Sequence, residues 1–241
     1  MARIAIDAMG GDHAPKAVVG GAVVAAKENP DWRLILVGDE VAINAELSAL
    51  GETPDNISIV ASDGVIDMHD HPVDALRSKR KASLPVAVKL VKNGEADAVI
   101  SAGNTGALVA AATLMLRNLS GVKRAGIASP LPSLNGQFVC MDVGANVNAK
   151  AIHIAQYAVM GDVFYENVFA KDDHKVRVGL LSVGTEDSKG SSLTKEANAL
   201  INQIDNIEFL GNVEGHQIFE GGIDVVCCDG QLGNVMLKTA E

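Results

Sequence analysis

The residues with the clearest chemical potential lie in five glycine-bearing segments, each placed directly after a short apolar run. In Ser182-Val183-Gly184-Thr185-Glu186-Asp187-Ser188-Lys189-Gly190, a lysine stands just before the helix expected from Ser191. Its charge adds to the positive end of a helix dipole, which helps stability little and favours an anionic ligand. Asp229-Gly230-Gln231-Leu232-Gly233-Asn234 opens another helix and offers an amide donor at Asn234, with a plain helix cap as the ordinary alternative. Around Gly103, Asn104, Thr105 and Gly106, small residues expose backbone N–H groups suited to phosphate, while Asn104 or Thr105 can cap the helix that follows. Gly10, Gly11, Asp12 and His13 repeat this placement near the N-terminus, where Asp12 can equally serve the helix end and His13 a solvated turn. The fifth segment, Met141 to Asn148, carries Asp142 and Asn146 as orienting groups, or as turn residues only.

Together these loops form a polar rim with one prominent cation, a composition that suits a small anion. Other chemistries lose their main support. No two glycines are separated by a single residue, so GxGxxG cannot occur, and GxxxxGK[ST] and GxSxG are also absent. His69 and His71 flank Asp70 in a polar loop before Pro72, where a solvated turn outweighs a metal pair. Cys140, Cys227 and Cys228 have no CxxC spacing and lie in apolar strand-like segments, as reduced buried cysteines do.

Net charge is −10, against the positive surface that nucleic-acid backbone recognition requires. Any acidic partner must therefore dock on a local basic patch. Arg77, Lys79, Arg80 and Lys81 form the densest one, with Lys171, Lys175 and Arg177 as a second surface. An acid at Asp7 precedes any signal-length apolar stretch, and the longest nearly apolar run, Ala107 to Leu116, is too short to cross a bilayer. These features predict a cytoplasmic protein.

The elements that must position the loops read as strand, glycine turn and helix in repetition. Apolar residues make up 48% of the chain and aromatics only 3%, so the core is built from aliphatic side chains, as when parallel strands alternate with helices. Strands are predicted over Arg3 to Asp7, Leu34 to Val37, Ile57 to Ala61, Ala98 to Ser101, Gly126 to Ser129, Phe138 to Val143, Val176 to Ser182, Glu208 to Leu210 and Asp224 to Cys228. The helix after Ser191-Ser192 places Leu193, Ala197, Leu200, Ile201 and Ile204 on one face and Asn198 elsewhere. No linker interrupts the series, so residues 1–241 are expected to form a single mostly parallel α/β domain with its ligands at the carboxyl ends of the strands. The final helix, read as starting near Gly233, has little length to bury its apolar face, which points to a chain truncated at its C-terminus.

Taken in order, the segments Ile6 to Asp12, Ala96 to Ala107, Asp142 to Asn146, Lys189-Gly190, and Asp229-Gly230 with Gly233-Asn234-Val235 resemble the phosphate acyltransferase family known as PlsX. The likeness covers the whole chain and departs at Thr185-Glu186-Asp187 and Ser191. It implies a three-layer α/β/α sandwich like that of isocitrate and isopropylmalate dehydrogenases, a homodimer, and no metal or other cofactor. It further implies transfer of a fatty acyl group from acyl carrier protein to inorganic phosphate for phospholipid synthesis, with peripheral contact to the membrane. On this resemblance Lys189 and Asn234 are the catalytic pair. Gly10, Gly11, Asp12, His13, Gly103, Asn104, Thr105, Gly106, Asp142, Asn146 and Glu186 would then contact substrate. A phosphate acetyl- or butyryltransferase using acyl-coenzyme A is the alternative enzyme, and a non-catalytic fragment the alternative of another class.

Overall fold

A computed structural model of the chain describes residues 1–51, 53–170 and 174–241. The chain divides into two compact units, Met1–Asn118 and Leu119–Glu241. The strands, read from sequence as one series, are shared between two sheets.

The first unit runs β1 (Arg3–Asp7), α1 (Lys16–Glu28), β2 (Arg33–Gly38), α2 (Glu40–Ala49), β3 (Ile57–Ala61), α3 (Pro72–Ser78), α4 (Ser83–Lys92), β4 (Ala98–Ser101) and α5 (Thr105–Ala111). A π turn over Ala112–Leu116 follows. Its sheet has the order β3-β2-β1-β4, and every pairing is parallel. Successive strand residues serve opposite faces. Ile6, Leu34 and Leu36 pack with Val19, Val23 and Ala26 of α1 and with Ile43 and Leu47 of α2. Ala5 and Val37 face Ala87 and Leu90 of α4. Helices thus cover both faces, which explains the nearly continuous apolar strands.

The second unit contains β5 (Ala128–Ser133), β6 (Gly136–Met141), α6 (Ala151–Val168), β7 (Arg177–Leu181), α7 (Ser192–Ile201), β8 (Glu208–Val213), α8 (Gln217–Glu220), β9 (Val225–Cys227) and α9 (Gly230–Ala240). The order is β5-β6-β9-β7-β8, with an antiparallel β5–β6 hairpin at one edge and parallel pairing elsewhere. Val139, Met141, Val178, Leu180 and Val225 bury one face against Ile154, Tyr157 and Ala158 of α6 and Ala197 and Ile201 of α7. Phe138, Cys140, Leu181 and Val226 bury the other against Ile218 and Phe219 of α8 and Met236 and Leu237 of α9. Each unit is therefore a three-layer α/β sandwich of its own. Among the described residues no helix is long and apolar enough to cross a membrane.

Candidate active site

Strands β6, β9 and β7 are parallel neighbours in the second unit. Their carboxyl ends consequently release three of the glycine loops along one edge of the sheet. After β7, the Lys189 N–H donates to the Glu186 carbonyl at 2.9 Å and closes a turn, and Gly190 carries the chain on with φ +87°. Ser191 then caps α7 by accepting from the Thr194 N–H at 3.2 Å. Lys189 is exposed, and no carboxylate among the described residues pairs with it. Its stem lies against Gly184, where a Cβ would stand 3.0 Å from the Lys189 Cγ and 3.1 Å from Glu186 Oε2.

Two asparagines anchor this loop. The Asn212 side chain donates to the Glu186 carbonyl at 2.9 Å. Its Oδ1 accepts from the Asn198 amide at 3.1 Å, and that amide also reaches Asp187 Oδ1 at 3.2 Å. Both asparagines are buried, although Asn198 was read from sequence as lying off the apolar face of its helix. The signal for Asn212 was a polar amide continuing an apolar strand.

After β9, the final helix begins earlier than its apolar residues suggest. Asp229, not Asn234, is its cap, accepting from the Gln231 and Leu232 N–H groups at 2.9 and 3.0 Å. Both glycines therefore lie inside the helix, and each permits a close approach. A Cβ on Gly233 would overlap the Asp142 carbonyl oxygen, and one on Gly230 would sit 2.8 Å from the Asn146 nitrogen. Helix α9 is thus seated directly on the loop after β6. Asn234, exposed in the second helical turn, lies beside Gly144, with its Oδ1 3.5 Å from where a Cβ of that glycine would be.

The loop after β6 is built around the Asp142 carboxylate, which is fully buried. Its Oδ1 accepts from the N–H groups of Ile127 (2.9 Å), Gly144 (3.2 Å) and Ala145 (3.0 Å). Its Oδ2 accepts from the Asn146 N–H (2.7 Å) and side-chain amide (3.0 Å), and the same amide donates to the Ala125 carbonyl at 2.6 Å. These geometries make Asp142 and Asn146 the frame of the loop.

The first unit holds the remaining loops. Asp7 is buried at the end of β1, and its Oδ2 accepts from the Ser101 hydroxyl at 2.7 Å. That hydroxyl in turn accepts from the Gly103 N–H at 3.1 Å, tying the Gly103 loop to β1. Neither Asp7 nor Ser101 was read from sequence as a site residue, although both fall in the segments that carry the family resemblance. Asp12, His13, Thr105 and Gly106 are exposed. Asn104 is buried: its Oδ1 caps α5 by accepting from the Ala107 N–H, and its amide donates to the carbonyls of Asp67, Met68 and Asp70. In the basic run, Lys79 is paired with Asp67 and Asp70 at 2.9 and 2.6 Å. Of the second basic surface, Lys171 lies outside the described residues, and Arg177 is paired with Asp224. His69 and His71 belong to no metal-binding cluster among the described residues. The three cysteines are buried, and the Cys140 contact together with burial holds the Cys228 thiol well above its ordinary range, which removes it as a nucleophile.

An exposed lysine after β7 and an exposed amide in α9, both beyond the carboxyl ends of adjacent parallel strands, mark this edge as the candidate site of an α/β protein. The fold is that of the phosphotransacylases. A phosphotransacetylase from Streptococcus pyogenes superposes with a TM-score of 0.74 at 19% identity, over 99% of this chain and 80% of its own. A branched-chain phosphotransacylase from Enterococcus faecalis V583 gives 0.61 at 15%, over 99% and 84%. Residues 2–241 match the family described as "Fatty acid synthesis protein". Proteins named phosphate acyltransferase from Bacillus cereus (strain B4264) and Bacillus mycoides (strain KBAB4) are each 48% identical over 240 residues, covering 99% of this chain and 71% of theirs. The chain belongs to this family, the phosphate acyltransferases, as its loop sequences implied.

Proposed function

We propose that this protein transfers a fatty acyl group from acyl carrier protein to inorganic phosphate, supplying acyl-phosphate for phospholipid synthesis, and that it acts as a cytoplasmic homodimer. A phosphate oxygen attacks the thioester carbonyl and forms the C–O bond. The tetrahedral intermediate then expels the carrier thiolate, which takes a proton from solvent. Phosphate is already an oxyanion, so the step requires positioning and charge stabilisation more than a general base. Lys189 neutralises phosphate and the developing oxyanion, and Asn234 donates its amide to the same centre. The observation that carries this reading is the delivery of an unpaired lysine and an exposed amide from adjacent parallel strands.

Acyl carrier protein and coenzyme A thioesters, each incubated with and without phosphate, provide the test. The expected result is phosphate-dependent loss of thioester from the carrier-bound donor, with the coenzyme A donor consumed more slowly. Preference for coenzyme A would replace the donor, and failure of a folded sample to consume either would overturn the reading.

A further inference from the structure

The start of α6 in the second unit carries positive charge that the fold leaves unanswered. Lys123 and Arg124 lie just before β5, Lys150 stands at the cap of α6, and all three are exposed. No carboxylate among the described residues pairs with any of them. Their closeness is felt at His153, buried in the first turn of α6: burial lowers its pKa from the ordinary 6.5, and the charges of Arg124, Lys150 and Lys123 lower it further. That turn holds no acidic residue, although the helix dipole would favour one there.

The patch is firmly mounted and well placed. The Gln156 side chain of α6 accepts from the Lys123 N–H at 2.9 Å and donates to the Gly121 carbonyl at 2.7 Å. Just beyond Arg124, the Ala125 carbonyl and the Ile127 N–H are bonded to Asn146 and Asp142 of the loop after β6, on which α9 is seated. Helix α6 opens where that loop ends, so the three cations stand at the carboxyl edge of the sheet. The basic surfaces read from sequence differ in this respect. Lys79 is held by Asp67 and Asp70, and Lys175 shares a concavity with Asp162, Glu166, Asp205 and Glu208.

We propose that Lys123, Arg124 and Lys150 receive an acidic face of the carrier protein that delivers the acyl thioester. The inference rests on the acyl-transfer reading and adds to it the surface on which the partner lands. A carrier docked at the start of α6 holds its thioester arm toward the edge that bears Asn234 and Lys189. A chain of net charge −10 repels an acidic partner at long range, and a local patch of opposite sign reverses this at short range. Such complementarity raises association rates about 10–10³-fold and weakens as salt is added.

Two double variants test this, Lys123→Glu with Arg124→Glu and Lys123→Glu with Lys150→Glu. The second keeps Arg124, because Arg124 and Asp142 both act on the buried Tyr157 hydroxyl. Circular dichroism checks that each is folded. In the binding arm, fluorescence anisotropy follows labelled carrier protein without its prosthetic arm, so that no phosphate of the arm contributes. Wild-type affinity should fall with added salt, and at low salt both variants should bind about tenfold or more weakly, with a flatter salt dependence. Salt-independent binding by wild type, or equal affinity in a folded variant, overturns the proposal. In the turnover arm, kcat/KM for acyl-loaded carrier and phosphate should fall by a similar factor with kcat unchanged, and consumption of the acyl-coenzyme A donor should not change. An equal loss with coenzyme A assigns the patch to phosphate groups of the donor and overturns the proposal. Loss of binding to phosphatidylglycerol vesicles with carrier affinity unchanged assigns it to a lipid surface and does the same. Patch-dependent carrier binding with no phosphate-dependent turnover of any donor supports the docking surface while acyl transfer fails. Turnover of the carrier-bound donor that ignores the patch leaves acyl transfer standing and overturns the docking surface.

Discussion

Replacing Asp142 with asparagine changes one atom in a carboxylate that accepts five N–H groups, three at Oδ1 and two at Oδ2. The incoming NH₂ must face one of these sets, and an N–H cannot accept from another. If it takes the Oδ1 place, three backbone donors lose their acceptor in a buried site. If it takes the Oδ2 place, the Asn146 backbone and side-chain donors lose theirs, although the side chain keeps the Ala125 carbonyl. The second arrangement is the cheaper. At about 1–3 kcal/mol for each buried donor left without a partner, the expected loss is about 2–5 kcal/mol. Urea unfolding followed by circular dichroism measures it directly, the midpoint shifting while the slope stays constant. Turnover should fall as well, because α9 and Asn234 rest on this loop. A stability change under about 1 kcal/mol would refute the assignment of Asp142 as the frame of the loop and return it to the substrate contacts.

Lys189→Ala and Asn234→Ala should each lower turnover by about 10²-fold with circular dichroism unchanged, the loss typical of one oxyanion donor, and the double variant should lose less than the product of the two. Near-normal turnover in either single variant would remove that residue from the site. Gly184→Ala presses on the flexible stem of Lys189 and on Glu186, not on backbone, so stability should change by less than about 1 kcal/mol while turnover falls; equal turnover would show that the lysine stem can move freely. Burial of Asp224 raises its pKa, but hydrogen bonds from the Arg177 side chain and backbone and from His174 outweigh it and leave the carboxyl below its ordinary value of 3.8. A carboxylate depressed in the folded state contributes stability that is full above the unfolded pKa and is lost as pH falls through the folded one. Asp224→Asn should therefore lower the melting temperature at neutral pH and flatten its decline below about pH 4; parallel acid limbs in variant and wild type would count against the pairing.

The limits of β1, β3 and β4, each centred on a short apolar run, were legible to the residue. Strand β5 was not. It was expected over Gly126 to Ser129, yet it spans Ala128–Ser133 and includes Pro130 and Pro132. Proline is tolerated there because β5 is an edge strand whose outer N–H groups have no neighbour to bond. The division into two sheets left no linker to read. Among the candidate site residues, the exposure of Lys189 was legible from its loop of small residues, whereas Asn234, read at a helix start, lies in the second turn of α9. Asp142, Asn146 and Asn104 carry the same residue types in the same kind of loop. Their roles depend on partners such as Ile127, Ala125 and Met68, which only the fold brings near. The start of α9 was missed because glycines are poor helix formers, and here tertiary contact decides.

That contact also explains why the edge presents donors. A loop rich in small residues ends each of β6, β9 and β7, and each carries at least one acid: Asp142, Asp229, and Glu186 with Asp187. Left free, these carboxylates would repel an anion. Asp142 is turned inward onto its own loop, Asp229 accepts from the first N–H groups of α9, and Asp187 receives the Asn198 amide. Most of the acidic character of the edge is thus consumed in holding loops and helix ends. Lys189 and Asn234 remain outward; the Lys189 stem packs against Gly184, and α9, which carries Asn234, is seated on the Asp142 backbone through Gly233. A net charge of −10 is compatible with an anion site for this reason: the field at the edge is set by the groups left unpaired there, and distant charges are screened by salt.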